Sequence, residues 1–169
     1  IAGVVIPTQD FGKIYAEWKK IGKEMPYALC LGVDPAIAMI AGYPLPSGVN
    51  EGEMIGGWYG EAVDVVKCET NDLLVPASSE IIIEGFASLD EMVPEGPMGE
   101  YGGYVWSGRS KTVPCFKAAA MTYRDNPIMP LCVAGVPTEE NHTNWGISIA
   151  ASIQNVLQKQ GFPIKECFI

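Results

Sequence analysis

The stretch Ser79-Glu80-Ile81-Ile82-Ile83-Glu84-Gly85-Phe86-Ala87 decides the fold class of this chain. Its run of β-branched and aromatic residues is typical of a β-strand. Further strand-like runs lie around it and are separated by Asn, Pro and Gly turn signals, at residues 62–69, 103–107 and 113–124. Helical crossover segments are missing between these runs, so we predict an antiparallel sheet or a barrel rather than a doubly wound parallel sheet.

Helical patterns flank this β section and make the predicted class α+β. Apolar residues at helical spacing predict a helix over residues 10–22, capped by Asp10 and stopped by Pro26. Asp34-Pro35 predicts a second helix start, Asn50 caps a third helix that begins at Glu51, and residues 144–160 form a fourth. Strands are predicted at residues 1–6, 27–33 and 164–169, a loop over 43–48, and a domain boundary near 137.

Composition and charge exclude several classes of function. The 169 residues are 48% hydrophobic and 18% charged, which is enough apolar material for a packed core. A net charge of −9 repels phosphodiester backbones, so we exclude nucleic acid as a partner. The sequence has no run near the ~20 apolar residues of a membrane span, so we expect no membrane partner either.

Cysteine and histidine usage points to reduced thiols and against zinc. The sequence contains five cysteines without a C-x-x-C pair and one histidine, His142, for which we expect a role at a loop or helix start. Buried reduced thiols at Cys30 and Cys132 predict a cytoplasmic location. Because the chain opens on Ile1 rather than Met and both ends read as strands, we expect it to be a fragment.

One segment carries the candidate chemistry, and it runs from Met92 to Tyr104. Its two prolines and four glycines argue against a regular helix or a central strand. Fully extended, Glu95 and Glu100 would lie about 16 Å apart at about 3.3 Å per residue, but the glycine and proline turns can bring them together. Two adjacent carboxylates suit general acid–base work, whereas a surface turn with two solvated glutamates is the alternative.

The run Pro94-Glu95-Gly96-Pro97-Met98-Gly99-Glu100 resembles the glutamate loop of the UbiD decarboxylase family, especially of its ferulic acid decarboxylases. The resemblance extends over essentially the whole chain, because further blocks are similar to the family's in order and spacing. These blocks are residues 68–77, 79–85, 122–130 and 138–143.

The resemblance implies a fold, an activity and a set of cofactors. Residues 1–137 would be a split β-barrel, flavin-reductase-like cofactor domain that lacks its N-terminal part, and 138–169 the start of a C-terminal α/β oligomerisation domain. The implied activity is reversible non-oxidative decarboxylation of an aromatic, heteroaromatic or α,β-unsaturated carboxylic acid. It would use prenylated FMN with Mn²⁺ or another divalent metal and K⁺. The implied partners are the small-molecule acid, a flavin prenyltransferase that supplies the cofactor, and further copies of the chain in a dimer or larger homo-oligomer.

The resemblance also implies roles for individual residues. Glu100 would protonate the carbon that CO2 leaves, and Glu95 would hydrogen-bond an arginine outside this sequence and tune that proton. Glu51 matches a metal-ligating glutamate, although a place in a helix first turn explains it equally simply. Gln9 stands where the family commonly has a histidine ligand, so either Gln9 or Asp10 would replace that ligand or the metal site would be weaker or altered; of these we predict Gln9 as the ligand. The implied cofactor-binding residues are Thr8, Gln9, Tyr43, Pro44 and Glu51.

Two bulky aromatics match substrate-pocket positions of the family, Tyr101 and Trp145, and core packing explains them as readily. The sequence leaves two rival functions open, a non-catalytic flavin- or nucleotide-binding module and an oligomerisation module. Because parts of the implied network lie outside the sequence, we expect the fragment alone to be inactive.

Overall fold

The structure is a computed structural model that describes residues 10–43, 45, 48–95, 111–131 and 138–169. These residues fall into two compact units. The first unit contains residues 10–34, 63–95 and 111–130, and the second contains 35–62, 131 and 138–169, apart from the gaps just given. In chain order the elements are α1 (Asp10–Lys20), β1 (Met25–Leu31), α2 (Pro35–Ala41), α3 (Glu51–Tyr59), β2 (Val65–Lys67), β3 (Leu74–Pro76), β4 (Ile81–Glu95), β5 (Lys111–Tyr123) and α4 (Glu140–Lys159).

The first unit is built on a three-stranded antiparallel sheet in the order β1-β4-β5. The predicted strand at 79–87 is its central strand, and a short antiparallel pair, β2 with β3, accompanies it. These elements confirm the α+β class and the antiparallel pairing. The predicted strands at 1–6 and 103–107 lie outside the described residues.

The central strand is longer than predicted, since β4 continues to Glu95 and pairs there with Lys111. Residues 92–95 were not predicted as a strand; in the described sheet they pair with β5 and not with β1, so they do not form a central strand. Pro94 is tolerated because β1 pairs with β4 no further than Ala87, which leaves β5 as the one neighbour among the described residues.

Helix α1 packs on this sheet through residues one turn apart. The rings of Phe11 and Tyr27 on β1 pack in a T-shaped arrangement at 5.5 Å between centroids, and Tyr27 packs in the same way with Phe116 on β5 at 4.4 Å. The hydroxyl of Tyr15 donates to the carbonyl of Ser88 at 2.7 Å. The contacts of Phe11 and Tyr15 anchor α1 to β1 and β4, and the contact between Tyr27 and Phe116 links the two edge strands β1 and β5.

Two details of the predicted first helix were wrong. Asp10 is already helical rather than the cap, and the helix ends at Lys20, two residues before the predicted end at residue 22. Gly22 ends it by adopting a left-handed φ of 69°, which glycine reaches without strain. Pro26 lies instead in β1, an edge strand of the described sheet, where a missing N–H is harmless.

The second unit is helical in its described part. Helix α2 begins at Pro35 as predicted, and Asn50 caps α3 as predicted, accepting the N–H of Gly52 at 2.8 Å. Helix α4 begins four residues earlier than expected, and His142 lies in its first turn with Nδ1 2.8 Å from a Glu139 carboxylate oxygen. None of the described helices is long and apolar enough to cross a membrane.

The predicted strand at 164–169 is absent from the structure. The side-chain amides of Gln154 and Gln158 on α4 donate to the carbonyls of Lys165 and Ile164, at 2.9 and 2.8 Å. This segment therefore satisfies its backbone against a helix instead of pairing in a sheet.

Candidate functional site

Glu95 is the last residue of β4 and lies half-buried opposite Lys111 of β5. The ladder between β4 and β5 thus sets where the predicted acid loop leaves the sheet. Glu100 lies outside the described residues, so the convergence of the two acids remains a prediction.

A wide bulge in β4 positions this end of the strand. The pairing steps from Ala87 opposite Phe116 to Met92 opposite Pro114, so residues 88–91 bulge out against Cys115. The Ser88 side chain, 2% exposed, accepts the backbone N–H groups of Asp90 and Glu91 at 3.3 and 3.1 Å. Sequence reasoning missed this bulge, although three polar residues within the run SLDE of an otherwise apolar strand are a signal of one.

A buried acid in the middle of the same strand was also missed. Glu84 is 1% exposed, and its carboxylate accepts the N–H of Glu69 at 2.9 Å and both the N–H and the hydroxyl of Thr70 at 2.8 Å. Burial by itself raises the pKa of Glu84, but these three hydrogen bonds together bring that pKa below its ordinary value. An ionised Glu84 therefore clamps the turn before β3 onto the sheet, a structural role. The available signal was a carboxylate directly after three isoleucines.

The described cysteines are reduced thiols. Cys30, Cys68, Cys115 and Cys167 are free. Burial raises the pKa of both Cys30 and Cys68, which keeps these thiols protonated near neutral pH. Cys30 is thus a free thiol as expected, although it is half-buried rather than buried, while Cys132 lies outside the described residues.

The candidate metal ligand Glu51 is exposed in the first turn of α3. Its carboxylate is accessible and is followed by a second acidic residue, Glu53, in the same turn. In the described ranges no group of three or more His, Cys, Asp or Glu side chains could hold a metal ion. Glu51 alone fits a hard divalent cation as one oxygen ligand, so the rest of a ligand set would have to come from elsewhere. Thr8 and Gln9 lie outside the described residues.

Tyr43 and Trp145, both in the second unit, are brought together by the fold. The indole of Trp145 on α4 lies against Gly42, whose ideal Cβ would be 2.4 Å from Trp145 Cζ2. The Tyr43 hydroxyl donates to the Ser148 carbonyl at 3.2 Å and is hydrogen-bonded to the Ser152 hydroxyl. The Tyr43 hydroxyl is therefore engaged with α4, which leaves its ring and backbone for any contact with a cofactor. Pro44 and Tyr101 lie outside the described residues.

Comparison with known proteins decides the family. The family model for the UbiD 3-octaprenyl-4-hydroxybenzoate carboxy-lyase Rift-related domain matches residues 2–137. The chain belongs to the UbiD family. It is 49% identical to the pyrrole-2-carboxylic acid decarboxylase of Pseudomonas aeruginosa, over 97% of this chain and 33% of that protein. It is 43% identical to ferulic acid decarboxylase 1 of Saccharomyces cerevisiae, over 100% of this chain and 34% of that protein.

Solved structures of UbiD enzymes share this fold. The vanillic acid decarboxylase of Sedimentibacter hydroxybenzoicus in its open form superposes with a TM-score of 0.81 at 27% identity, covering 93% of this chain and 34% of that one. An evolved dimeric form of the UbiD-class enzyme HmfF from Pelotomaculum thermopropionicum, solved in complex with prenylated FMN, gives a TM-score of 0.76 at 30% identity. That match covers 90% of this UbiD chain and 35% of the neighbour. The UbiD chain thus spans about one third of the length of these relatives.

Proposed function

We propose that this UbiD chain is the central part of a decarboxylase that uses prenylated FMN to remove CO2 from an aromatic, heteroaromatic or α,β-unsaturated carboxylic acid. The observation that carries the proposal is the 49% identity to a pyrrole-2-carboxylic acid decarboxylase over 97% of the chain, which includes the segment between Glu95 and Glu100. Reversibility of the reaction is part of the proposal.

Glu100 is proposed as the acid that delivers a proton to the carbon from which CO2 departs. Glu95 is proposed to form a hydrogen bond to an arginine outside this sequence and thereby to influence how readily Glu100 donates its proton. The half-buried place of Glu95 at the end of a paired strand supports this, because the ladder fixes the backbone position from which its side chain extends. When bound, prenylated FMN supplies the electron sink, and the residues of the chain orient the acid and exchange the proton.

The cofactor and metal contacts follow from the same family membership. Thr8, Gln9, Tyr43, Pro44 and Glu51 are proposed to line the cofactor, with Glu51 and Gln9 as ligands of Mn²⁺ or another divalent ion. Glu51 supports this as an exposed, accessible carboxylate in the first turn of a helix whose start is fixed by the Asn50 cap. K⁺ belongs to the proposed set as well.

The substrate pocket and the wider setting complete the proposal. Tyr101 and Trp145 are proposed to contact the ring or alkenyl part of the acid. The split-barrel architecture with a division at residue 137, the homo-oligomer, the supply of cofactor by a flavin prenyltransferase and the cytoplasmic location also remain proposals. The dimeric HmfF form with prenylated FMN supports the oligomer and the cofactor by analogy.

The test uses the full-length protein produced together with a flavin prenyltransferase. Wild-type protein should release CO2 from a heteroaromatic or a phenylacrylic acid, and Glu100→Gln should lower the turnover number by at least about a hundredfold, the usual contribution of a positioned general acid. Glu17→Gln is the matched control, because this glutamate lies exposed on α1 in an ion pair with Lys20. Normal turnover in the Glu100→Gln protein would refute the assigned proton donor. Tight binding of prenylated FMN without CO2 release from any acid would favour a non-catalytic flavin-binding module.

A further inference from the structure

The indole of Trp145 packs against the backbone of Gly42, the residue that follows the end of α2. A Cβ built on Gly42 would lie 2.4 Å from Trp145 Cζ2 and 3.0 Å from both Cε2 and Cη2 of the same ring. Real Cβ atoms do not approach a ring so closely, so the observed seat of this indole requires glycine at position 42. The N–H of Gly42 donates to the Met39 carbonyl at 3.3 Å, which ties this position to the end of α2.

Tyr43, the next residue, is hydrogen-bonded to the face of α4 that carries Trp145. Tyr43 bonds through its hydroxyl to the Ser148 carbonyl and the Ser152 hydroxyl, and its own N–H donates to the Ile40 carbonyl at 2.9 Å. Trp145, Ser148 and Ser152 are spaced by three and four residues, so they share one face of the helix. A single two-residue segment therefore fixes both the backbone of α4 and the ring that α4 carries.

We propose that Gly42 and Tyr43 are positioning residues that set the substrate selectivity of the enzyme by fixing the Trp145 indole. The inference rests on the proposed function, because it takes Trp145 as a wall of the substrate pocket. A Trp side chain has two side-chain torsions, and contact with Gly42 on one side and an α4 backbone held by Tyr43 leave it a defined orientation. The space left for the acid is then determined by positions 42 and 43 as much as by position 145.

The experiment compares two acids on the full-length holoenzyme. The measured quantity is the ratio of kcat/KM for pyrrole-2-carboxylic acid to kcat/KM for a phenylacrylic acid, which differ in ring size and length. Gly42→Ala should change this ratio by about tenfold or more, the usual effect of one methylene-sized change in an apolar pocket. Gly57→Ala is the matched control, since its added Cβ meets nothing within 4 Å. Tyr43→Phe removes the two hydrogen bonds to α4 but keeps the ring, so it should also change the ratio and serves as the second variant if Gly42→Ala folds poorly.

A double-mutant cycle and a spectroscopic readout separate the outcomes. In a Trp145→Leu background, Gly42→Ala should change the ratio less than twofold, because the ring through which it acts is gone. In protein labelled with 5-fluorotryptophan, the Trp145 ¹⁹F resonance should move in Gly42→Ala and stay in place in Gly57→Ala. If the Trp145 resonance does not move in Gly42→Ala, or if it moves while the selectivity ratio stays unchanged, the proposal for Gly42 and Tyr43 is refuted. The decarboxylase assignment is unaffected by either result as long as the wild-type protein releases CO2. Absence of wild-type CO2 release overturns the assignment itself, and the selectivity role with it.

Discussion

Replacing Glu84 by Gln should release the turn that precedes β3 from the sheet. The buried carboxylate accepts three hydrogen bonds from Glu69 and Thr70, 15 and 14 residues away in sequence. A glutamine keeps the shape of this side chain but turns one acceptor into an NH2 group that faces an N–H donor. The other oxygen loses the charge that strengthened its bonds.

The loss of stability expected for Glu84→Gln can be worked out from these hydrogen bonds. A hydrogen bond to a charged group contributes about 1.5–3 kcal/mol and a neutral one about 1 kcal/mol. Losing one charged bond and weakening two, offset by the easier burial of a neutral amide, gives a loss of about 3 kcal/mol at neutral pH. At about 1.4 kcal/mol per factor of ten, the backbone amides of Glu69 and Thr70 should exchange with solvent on the order of a hundredfold faster.

Hydrogen–deuterium exchange of the peptide around residues 66–73 in the full-length protein measures this effect directly. Glu91→Gln is the matched control, because Glu91 lies on the same strand but is 54% exposed in its ion pair with Lys117. An exposed pair contributes less than about 1 kcal/mol, so this control should leave exchange in the same peptide nearly unchanged. Equal protection in wild type and Glu84→Gln would refute the clamp.

The pH dependence has a defined sign. Since hydrogen bonding holds the folded-state pKa of Glu84 below its ordinary value of 4.5, the ionised carboxylate stabilises the fold above pH 4.5. That contribution is lost as the pH falls through the folded-state pKa. The difference in free energy of unfolding between wild type and Glu84→Gln should therefore be full at pH 7 and shrink below pH 4.5. A difference that grew on acidification would contradict the assignment of an ionised clamp.

Two further substitutions test the local geometry. Asn50→Ala removes the acceptor for the Gly52 N–H and should destabilise the first turn of α3 by about 1 kcal/mol. Amide exchange in this turn should become faster in Asn50→Ala and return to the wild-type rate in Asn50→Ser. Unchanged exchange in Asn50→Ala would rule out the cap. Gly85→Ala places a Cβ 1.9 Å from the Lys117 carbonyl oxygen, so β4 and β5 must separate at a cost of about 3 kcal/mol or more. The midpoint of urea unfolding measures this, and a wild-type midpoint would show that the two strands do not approach so closely.

Local sequence signals predicted most of the described elements because each depends on neighbours in the chain. Asp34-Pro35 and Asn50 mark helix starts through backbone effects within one turn, and both predictions are confirmed. The strand run at 79–87 was recognised from its own β-branched residues. Its continuation to Glu95 was not, because the sequence does not reveal that Pro94 lies beyond the reach of β1.

In the candidate site, too, the sequence identified individual residues, whereas the contacts between them came from the tertiary structure. Family resemblance assigned Glu95, Glu51, Tyr43 and Trp145 from motifs in the sequence, but it did not reveal which of them touch. The seat of Trp145 on Gly42 joins residues about a hundred positions apart, and no periodicity in the chain encodes such a contact.

By itself the sequence determined the family, the antiparallel character of the sheet and the ends of several helices. The tertiary structure alone decided the bulge before Glu95, the hydrogen bonds of the buried Glu84 carboxylate, and the contacts that Tyr43 makes with α4 and Trp145 of α4 makes with Gly42. The physical reason is the distance along the chain over which each effect acts. Strand and cap preferences depend on a few neighbouring residues, whereas burial and hydrogen bonding depend on which distant segments the folded chain brings into contact.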